Sequence, residues 1–440
     1  MRSLDQVRRR ITSVNIRDVG STTAIDILMM AMQLLTGIIV GRVLGPSGRG
    51  EFAMIILWPA FISGLMIGGL RFSLIYHVSR KIGKLSNTIA TAVITMVVGS
   101  AIAAALLVVF AEDWLPAASP QVHDLLILTS LLLPIASIGT ILEPVLLGQR
   151  KYKAWNFLRV LDPILMVASV LAFAWFGLLS VASLIYLYLA IRLFYTAWFL
   201  LYVKREFPSM EVDSVARGLL VYGAKCQPSG WLGNVNAQAD QLILSSLFTP
   251  MFLGLYRTGA NVASFLRFVF IGFQRLVMTE AAECEEEWQR IDRIANYLAM
   301  CLLVSLISVG PFLLILGPAI RWMYGEAFDG SVAPAQVLVF AIILRGFCGI
   351  LGNGFRGLGK PLLPLWADVT GAVILLVSFV LLIPPMGIMG AATSVVISSA
   401  SVFVVLGIAF LRCYFGQRRK PASEDDSGTQ LISEKRLVKE

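Results

Sequence analysis

Gly41-Arg42-Val43-Leu44-Gly45-Pro46-Ser47-Gly48-Arg49-Gly50-Glu51-Phe52 separates two long apolar runs, and what it does to the backbone sets the fold. Pro46 withholds an amide hydrogen, and Gly45, Gly48 and Gly50 permit conformations that a side chain would forbid. The segment therefore predicts a tight turn between helices near 19–43 and 51–78. Each flanking run exceeds the roughly 18 apolar residues that mark a spanning helix, so the turn joins two membrane crossings. Its glycines and proline serve turn geometry rather than binding.

The same alternation of apolar block and polar break continues along the chain. Further helices are expected near 88–110, 122–147, 154–176, 180–203, 219–248, 251–279, 294–317, 332–356, 362–383 and 387–411, about twelve in all. With 57% apolar and 14% charged residues, against about 25% charged in a soluble domain, the chain is read as an all-α membrane protein. A transmembrane barrel would alternate residue by residue instead.

Lys and Arg mark the cytoplasmic loops of membrane proteins. With both termini cytoplasmic, inside segments hold 25 of the 36 basic residues and outside loops hold three, Arg42, Arg49 and Arg321. One helix more or fewer would invert that bias downstream, so an even number is expected. The bias also accounts for the net charge of +9. Basic residues are scattered between apolar blocks, with no aromatic and basic face to hold bases, so no nucleic-acid partner is expected. Cys226, Cys284, Cys301, Cys348 and Cys413 have no paired spacing and no histidine cluster beside them, which points to neither a disulfide framework nor a metal site. The first apolar segment is long and lacks a small-residue cleavage site, so it is expected to act as its own insertion signal.

Five parts follow. Residues 1–18 place Leu4, Val7, Ile11 and Val14 on one helical face, with Arg8, Arg9 and Arg10 available to anionic headgroups, a cytoplasmic amphipathic segment. Residues 19–203 form an N-lobe of six helices, 204–218 a cytoplasmic linker and 219–412 a C-lobe of six more. Residues 413–440 are polar and form an expected disordered tail. A shift of 204 residues brings Leu44, Pro46, Gly50, Phe52 and Arg71 onto Phe248, Pro250, Gly254, Tyr256 and Arg275. A shift of 211 sets Gly148 and Trp155 on Gly359 and Trp366. The lobes are thus expected to be a parallel internal repeat, an arrangement that transporters use to put a site between two halves.

At these residues the chain resembles the polysaccharide flippases of the multidrug, oligosaccharidyl-lipid and polysaccharide flippase superfamily. Gly41 to Phe52 looks like that family's first outer turn. Ala239-Asp240-Gln241-Leu242-Ile243-Leu244 and Gly254-Leu255-Tyr256 look like its seventh and eighth helices. Tyr324-Gly325-Glu326-Ala327-Phe328 and Gly357-Leu358-Gly359-Lys360-Pro361 fit around the tenth. The resemblance spans 19–412 and implies two six-helix lobes around a cavity, alternating access, and an undecaprenyl-pyrophosphate-linked oligosaccharide as cargo. It also implies residence in the cell inner membrane, with membrane lipids, a coupling proton or sodium ion and polysaccharide polymerase or export proteins as partners.

An ionisable side chain within a span is costly, so those present should face a cavity or pair. A pyrophosphate cargo needs cations, and arginine offers a fixed charge and bidentate geometry. Arg71, Arg267, Arg275 and Arg345 are the expected substrate-binding residues, with snorkelling to headgroups as the alternative for Arg71 and Arg275. Gln227 to Asp240 is unusually polar for a span and carries Pro228, Gly230 and Gly233, which predicts an interrupted helix lining a site. Asp240 and Asn236, four residues apart on one face, are candidates for ion coupling, as is Asp26. Pairing with arginine is the alternative for Asp240 and Asp26. Glu143 and Asp162 precede Pro144 and Pro163 and are expected at local helix distortions.

No phosphate-binding Gly-Lys-Ser/Thr loop or His-Glu metal signature occurs, and the only histidines are His77 and His123. No enzymatic role and no cofactor are therefore expected. Two rival functions remain at this level. A multidrug exporter of the same fold disagrees with cavity candidates rich in arginine. A polysaccharide polymerase or ligase would need a large outer loop with Arg and His, and here the outer loops are short.

Overall fold

The computed structural model describes residues 16–206, 215–283, 286–360 and 362–418. Among them the chain is helical, with no strand. The helices are α1 (Ile16–Arg80), α2 (Leu85–Trp114), α3 (Pro120–Ile138), α4 (Leu142–Gly148), α5 (Tyr152–Trp175), α6 (Val181–Glu206), α7 (Val215–Leu247), α8 (Pro250–Ala263), α9 (Phe268–Glu283), α10 (Glu287–Tyr324), α11 (Val332–Gly357), α12 (Leu362–Met386) and α13 (Ile388–Arg418). Most of the amphipathic segment expected at 1–18, the middle of the linker and residues 419–440 of the expected tail lie outside the described residues. The neighbouring helices reach further than the sequence suggested. α6 and α7 take in both ends of 204–218, and α13 runs on to Arg418.

Nine helical stretches among the described residues are long and apolar enough to cross a membrane. One of them, Ile25–Arg80, has 56 residues. At about 1.5 Å per residue it would measure roughly 84 Å if straight, far beyond a hydrocarbon core of ~30 Å. It breaks where the sequence put the turn: Gly45 has φ 67° and ψ −174°, outside helical space, and Pro46 follows it. An L side chain disfavours that φ/ψ combination by about 1–3 kcal/mol, which is why glycine stands there. The polar helix α7 and the α8–α9 pair are not among the nine.

The helices fall into two compact units. The first comprises residues 1–265, 312–339 and 376–395, and the second 266–311, 340–375 and 396–440. These boundaries cut through helices, unlike the lobes expected at 19–203 and 219–412, which are blocks of sequence. In the first unit Leu70, Leu74, Ile89, Ile141, Val145, Leu158, Phe199 and Leu219 form one buried apolar cluster tying α1, α2, α4, α5, α6 and α7 together. Two smaller clusters, around Ile55, Val122 and Ile185 and around Val40, Val170 and Leu184, fasten α1 to α3, α5 and α6. Trp175, Leu306 and Val380 stand exposed, as side chains facing lipid do.

α7 departs from expectation. It runs continuously through Pro228 rather than breaking there. Its polar side chains are spent on the backbone of α1: Gln227 donates to the Leu65 carbonyl and accepts from the Gly69 amide, Trp231 Nε1 donates to the Leu65 carbonyl at 2.7 Å, and Asn234 Nδ2 donates to the Phe61 carbonyl at 2.9 Å. Positions 227, 231 and 234 share a face at i, i+4 and i+7. Small residues on α1 let that face approach, since a β-carbon on Gly69 would lie 2.2 Å from the Gly223 carbonyl oxygen.

Candidate functional site

The outer turn positions the site. α1 and α8 cross in direct backbone contact: a β-carbon on Gly50 would lie 1.7 Å from the Pro250 carbonyl oxygen, and one on Gly254 would lie 1.9 Å from that of Pro46. The segment 324–328 closes on the same turn. Gly41 leaves room for the Tyr324 ring, which would come within 2.8 Å of an added β-carbon. Arg42 caps the end of α10, its Nε donating to the Met323 carbonyl at 2.7 Å and its Nη2 to that of Trp322, a favourable place for a cation.

Arg49, expected in an outside loop, is instead 4% exposed. Its Nη1 donates to the Gly37 carbonyl at 2.7 Å, and its guanidinium lies 4.8 Å from the centre of the Tyr324 ring. It lines a cavity of about 360 Å³ in the first unit, with Gln33 and Thr36 of α1, Asp162 of α5, Tyr188 and Arg192 of α6, and Arg257 and Asn261 of α8. Asp162 and Arg192 pair at 3.2 Å, and Arg192 lies 5.0 Å from the centre of the Tyr188 ring. Asp162, expected beside the Pro163 distortion and, as a charge within a span, to face a cavity or pair, does both of the latter. The Arg257 charge is close enough to feel Arg49, and among the described residues it makes no hydrogen bond or ion pair. Three guanidinium groups and one carboxylate leave the lining cationic. Among the described residues Arg192 Nε, in the lining, is buried without a hydrogen-bond partner, as is the Tyr324 hydroxyl outside the lining, on the ring beneath Arg49. The guanidinium groups of the lining, with this orphaned Arg192 donor among them, suit an anion with several acceptor oxygens.

The residues expected from sequence are distributed differently. Arg71 pairs with Glu143 at 3.1 Å, and Trp155 Nε1 donates to the same carboxylate at 3.3 Å. Arg71 does not line the Arg49 cavity. In the second unit Arg267 and Arg345 are exposed and near enough to sense each other's charge, and Arg345 Nε donates to Ser399 Oγ at 3.2 Å. Arg275 belongs to α9, and its side chain lies outside the described features. Asp26 pairs with Arg159 at 2.7 Å, and that guanidinium stacks 4.5 Å from the Trp155 ring centre. Asp240 accepts from the Tyr256 hydroxyl at 2.6 Å and from the Gln241 amide at 2.9 Å, and Asn236 lies one turn before it on α7. None of the three acidic or amide candidates lines the cavity.

Arg257 was missed by sequence reasoning, and Arg49 was assigned to a loop. The available signal was position: Arg257 directly follows Gly254-Leu255-Tyr256, within a segment otherwise free of charge. Arg49 lies between two glycines on the turn that the same reading treated as purely structural.

The fold has solved counterparts. The lipid II flippase MurJ in an inward closed conformation superposes with a TM-score of 0.73 at 11% identity, covering 89% of each chain. An inward-facing multidrug resistance MATE family transporter of the MOP superfamily gives 0.70 at 13% identity, covering 89% of this chain and 96% of that one. The MATE multidrug transporter DinF-BH gives 0.61 at 14% identity, over 91% and 97%. No curated protein matches in sequence. The profile of the family described as polysaccharide biosynthesis protein matches residues 39–333, taking in the outer turn, α7, α8 and the 324–328 segment. The profile covers well over half of this multi-pass membrane chain, which therefore belongs to the polysaccharide biosynthesis protein family.

Proposed function

We propose that the protein is an alternating-access flippase that moves an undecaprenyl-pyrophosphate-linked oligosaccharide across the cell inner membrane for capsule, O-antigen or exopolysaccharide assembly. The observation that carries this reading is the first-unit cavity, where Arg49, Arg192 and Arg257 face one carboxylate. A lining with excess guanidinium favours a phosphate-bearing cargo and opposes cationic drugs, so it supports this function over multidrug export by the same fold. Arg257 and Arg49 take the leading part in phosphate contact. Arg71 contributes once released from Glu143, and Arg267, Arg275 and Arg345 serve from the second unit.

Twelve crossings, a parallel six-plus-six repeat and two cytoplasmic termini complete the reading. Counting Ile25–Arg80 as two spans and adding α7 and the α8–α9 pair brings nine stretches to twelve. The reciprocal contact of Gly50 and Gly254, equivalent under the 204-residue shift, supports the repeat. Asp240, with Asn236 and Asp26, serves a coupling proton or sodium ion, and pathway polymerase or export proteins receive the product. The test is deletion of the gene with analysis of lipid-linked sugars. Accumulation of an undecaprenyl-linked oligosaccharide on the cytoplasmic side, relieved by the wild-type gene but not by Arg257→Ala, is the expected result. Unchanged surface polysaccharide with no accumulated intermediate would overturn the function.

A further inference from the structure

A second cavity, of about 590 Å³, lies in the first unit between the end of α1 and the α4–α5 turn. Both turns leave their helix through a residue in the left-handed region, Lys81 at φ 54° and Arg150 at φ 59°, the only non-glycine residues with positive φ among those described. An L side chain is disfavoured in that conformation, and such strain concentrates at functional positions. Here each strained residue, together with Lys151, supplies a cation to the cavity lining. No aspartate or glutamate lines it, and among the described residues none of the three cations has a carboxylate partner.

The backbone of both turns satisfies itself. The Lys81 and Ile82 amides donate to the Val78 and His77 carbonyls, and the Arg150 and Lys151 amides donate to those of Leu147 and Leu146. Ligand recognition therefore falls to side chains. Gln149, also in the lining, has its Oε1 buried without a donor. Three cations without a carboxylate call for an anion, and an orphaned acceptor calls for a hydroxyl or amine hydrogen beside it.

We propose that this cavity binds a phosphate group carrying a hydroxylated substituent, with Lys81, Arg150 and Lys151 on the phosphate oxygens and Gln149 accepting from the hydroxyl. Two sources share that chemistry: the headgroup of an anionic phospholipid such as phosphatidylglycerol, or a soluble polyol phosphate. The site is separate from the Arg49 and Arg257 cavity and does not depend on the cargo proposed for it.

The full-length protein in mild detergent is offered phosphatidylglycerol or phosphatidylcholine, and retained lipid is counted by native mass spectrometry. In parallel its melting temperature is followed with glycerol 3-phosphate and with inorganic phosphate. The variant Lys81→Gly/Arg150→Gly removes both charges and both strained side chains, so it folds at least as well as wild type. Preferential retention of phosphatidylglycerol, reduced about tenfold in the double variant, supports the proposal with a lipid as source. Stabilisation by glycerol 3-phosphate beyond that by inorganic phosphate, also lost in the variant, supports it with a soluble source. Equal retention of the two lipids without stabilisation, or binding unchanged in the variant, overturns it and leaves these residues a role in membrane orientation alone.

Discussion

Gly50 and Gly254 sit face to face where α1 crosses α8, each pressed against the other helix's proline carbonyl, with 1.7 and 1.9 Å left to an added β-carbon. Only backbone stands on the opposing side, so no side chain can move aside. Gly50→Ala and Gly254→Ala are expected to force the helices apart, at a cost of about 1–3 kcal/mol or more for overpacking. Because both act on one crossing, the double variant should lose less than the sum of the singles. Thermal unfolding of the purified protein measures this. Strict additivity would mean the two glycines do not share a contact. Gly45→Ala, with open space around its β-carbon, should cost about 1–3 kcal/mol of backbone strain alone.

Arg257 and Arg49 should separate function from stability. Arg257 makes no ion pair among the described residues, so Arg257→Ala should leave the melting temperature unchanged or higher while transport falls at least about tenfold. Arg49 is anchored to the Gly37 carbonyl and the Tyr324 ring. Arg49→Ala should therefore also cost about 1–3 kcal/mol in stability. Melting curves beside complementation of a deletion strain distinguish the two. Equal destabilisation by both would count against an anion site.

The Asp162–Arg192 pair, 3.2 Å apart and about one-third exposed, should show compensation. Asp162→Asn adds to the positive charge of the lining, and Arg192→Gln takes from the Asp162 carboxylate its partner at 3.2 Å. Combining them removes both charges and should restore part of the stability lost by the Arg192→Gln single. A double-mutant cycle on melting temperature gives the coupling, and a coupling of zero would mean that the pair is not formed in the membrane.

Asp240 is the sharpest test of ion coupling. Asp240→Asn should abolish the dependence of transport on the proton or sodium gradient, whereas Tyr256→Phe, which removes only the donor at 2.6 Å, should weaken but keep it. Asp26→Asn disrupts the Arg159 pair and should lower stability as well as weaken the gradient dependence. The readout is uptake into liposomes with imposed gradients, and unaltered gradient dependence in Asp240→Asn would remove that residue from the coupling role.

The long-range arrangement of apolar blocks was legible because the bilayer imposes one length on every span. The turn at Gly45 and Pro46 was legible because two residue types with opposite backbone restrictions stood together. What composition could not convey was contact partner. Gln227, Trp231 and Asn234 looked like a transport surface because polarity in a span has two uses, and only the facing Phe61 and Leu65 carbonyls decide between them. Arg49 looked like loop charge because its burial depends on Tyr324, 275 residues away in sequence. The scattered motifs behind the family resemblance prove to be neighbours: Gly41 meets Tyr324, and Pro46 meets Gly254. Glu143 and Asp162 were placed beside prolines by sequence alone, yet their roles come from the arginines across from them.

The hydrogen bonds from α7 to α1 also bear on how firmly the chain sits in the membrane. Residues 215–247 follow 61–69 in the chain and form a more polar helix than the other candidate spans. The Phe61 and Leu65 carbonyls supply acceptors that lower the cost of burying its polar side chains. A chain deprived of the α1 segment 61–69 should therefore hold residues 215–247 in the bilayer less firmly, which protease accessibility of that segment in membranes would measure.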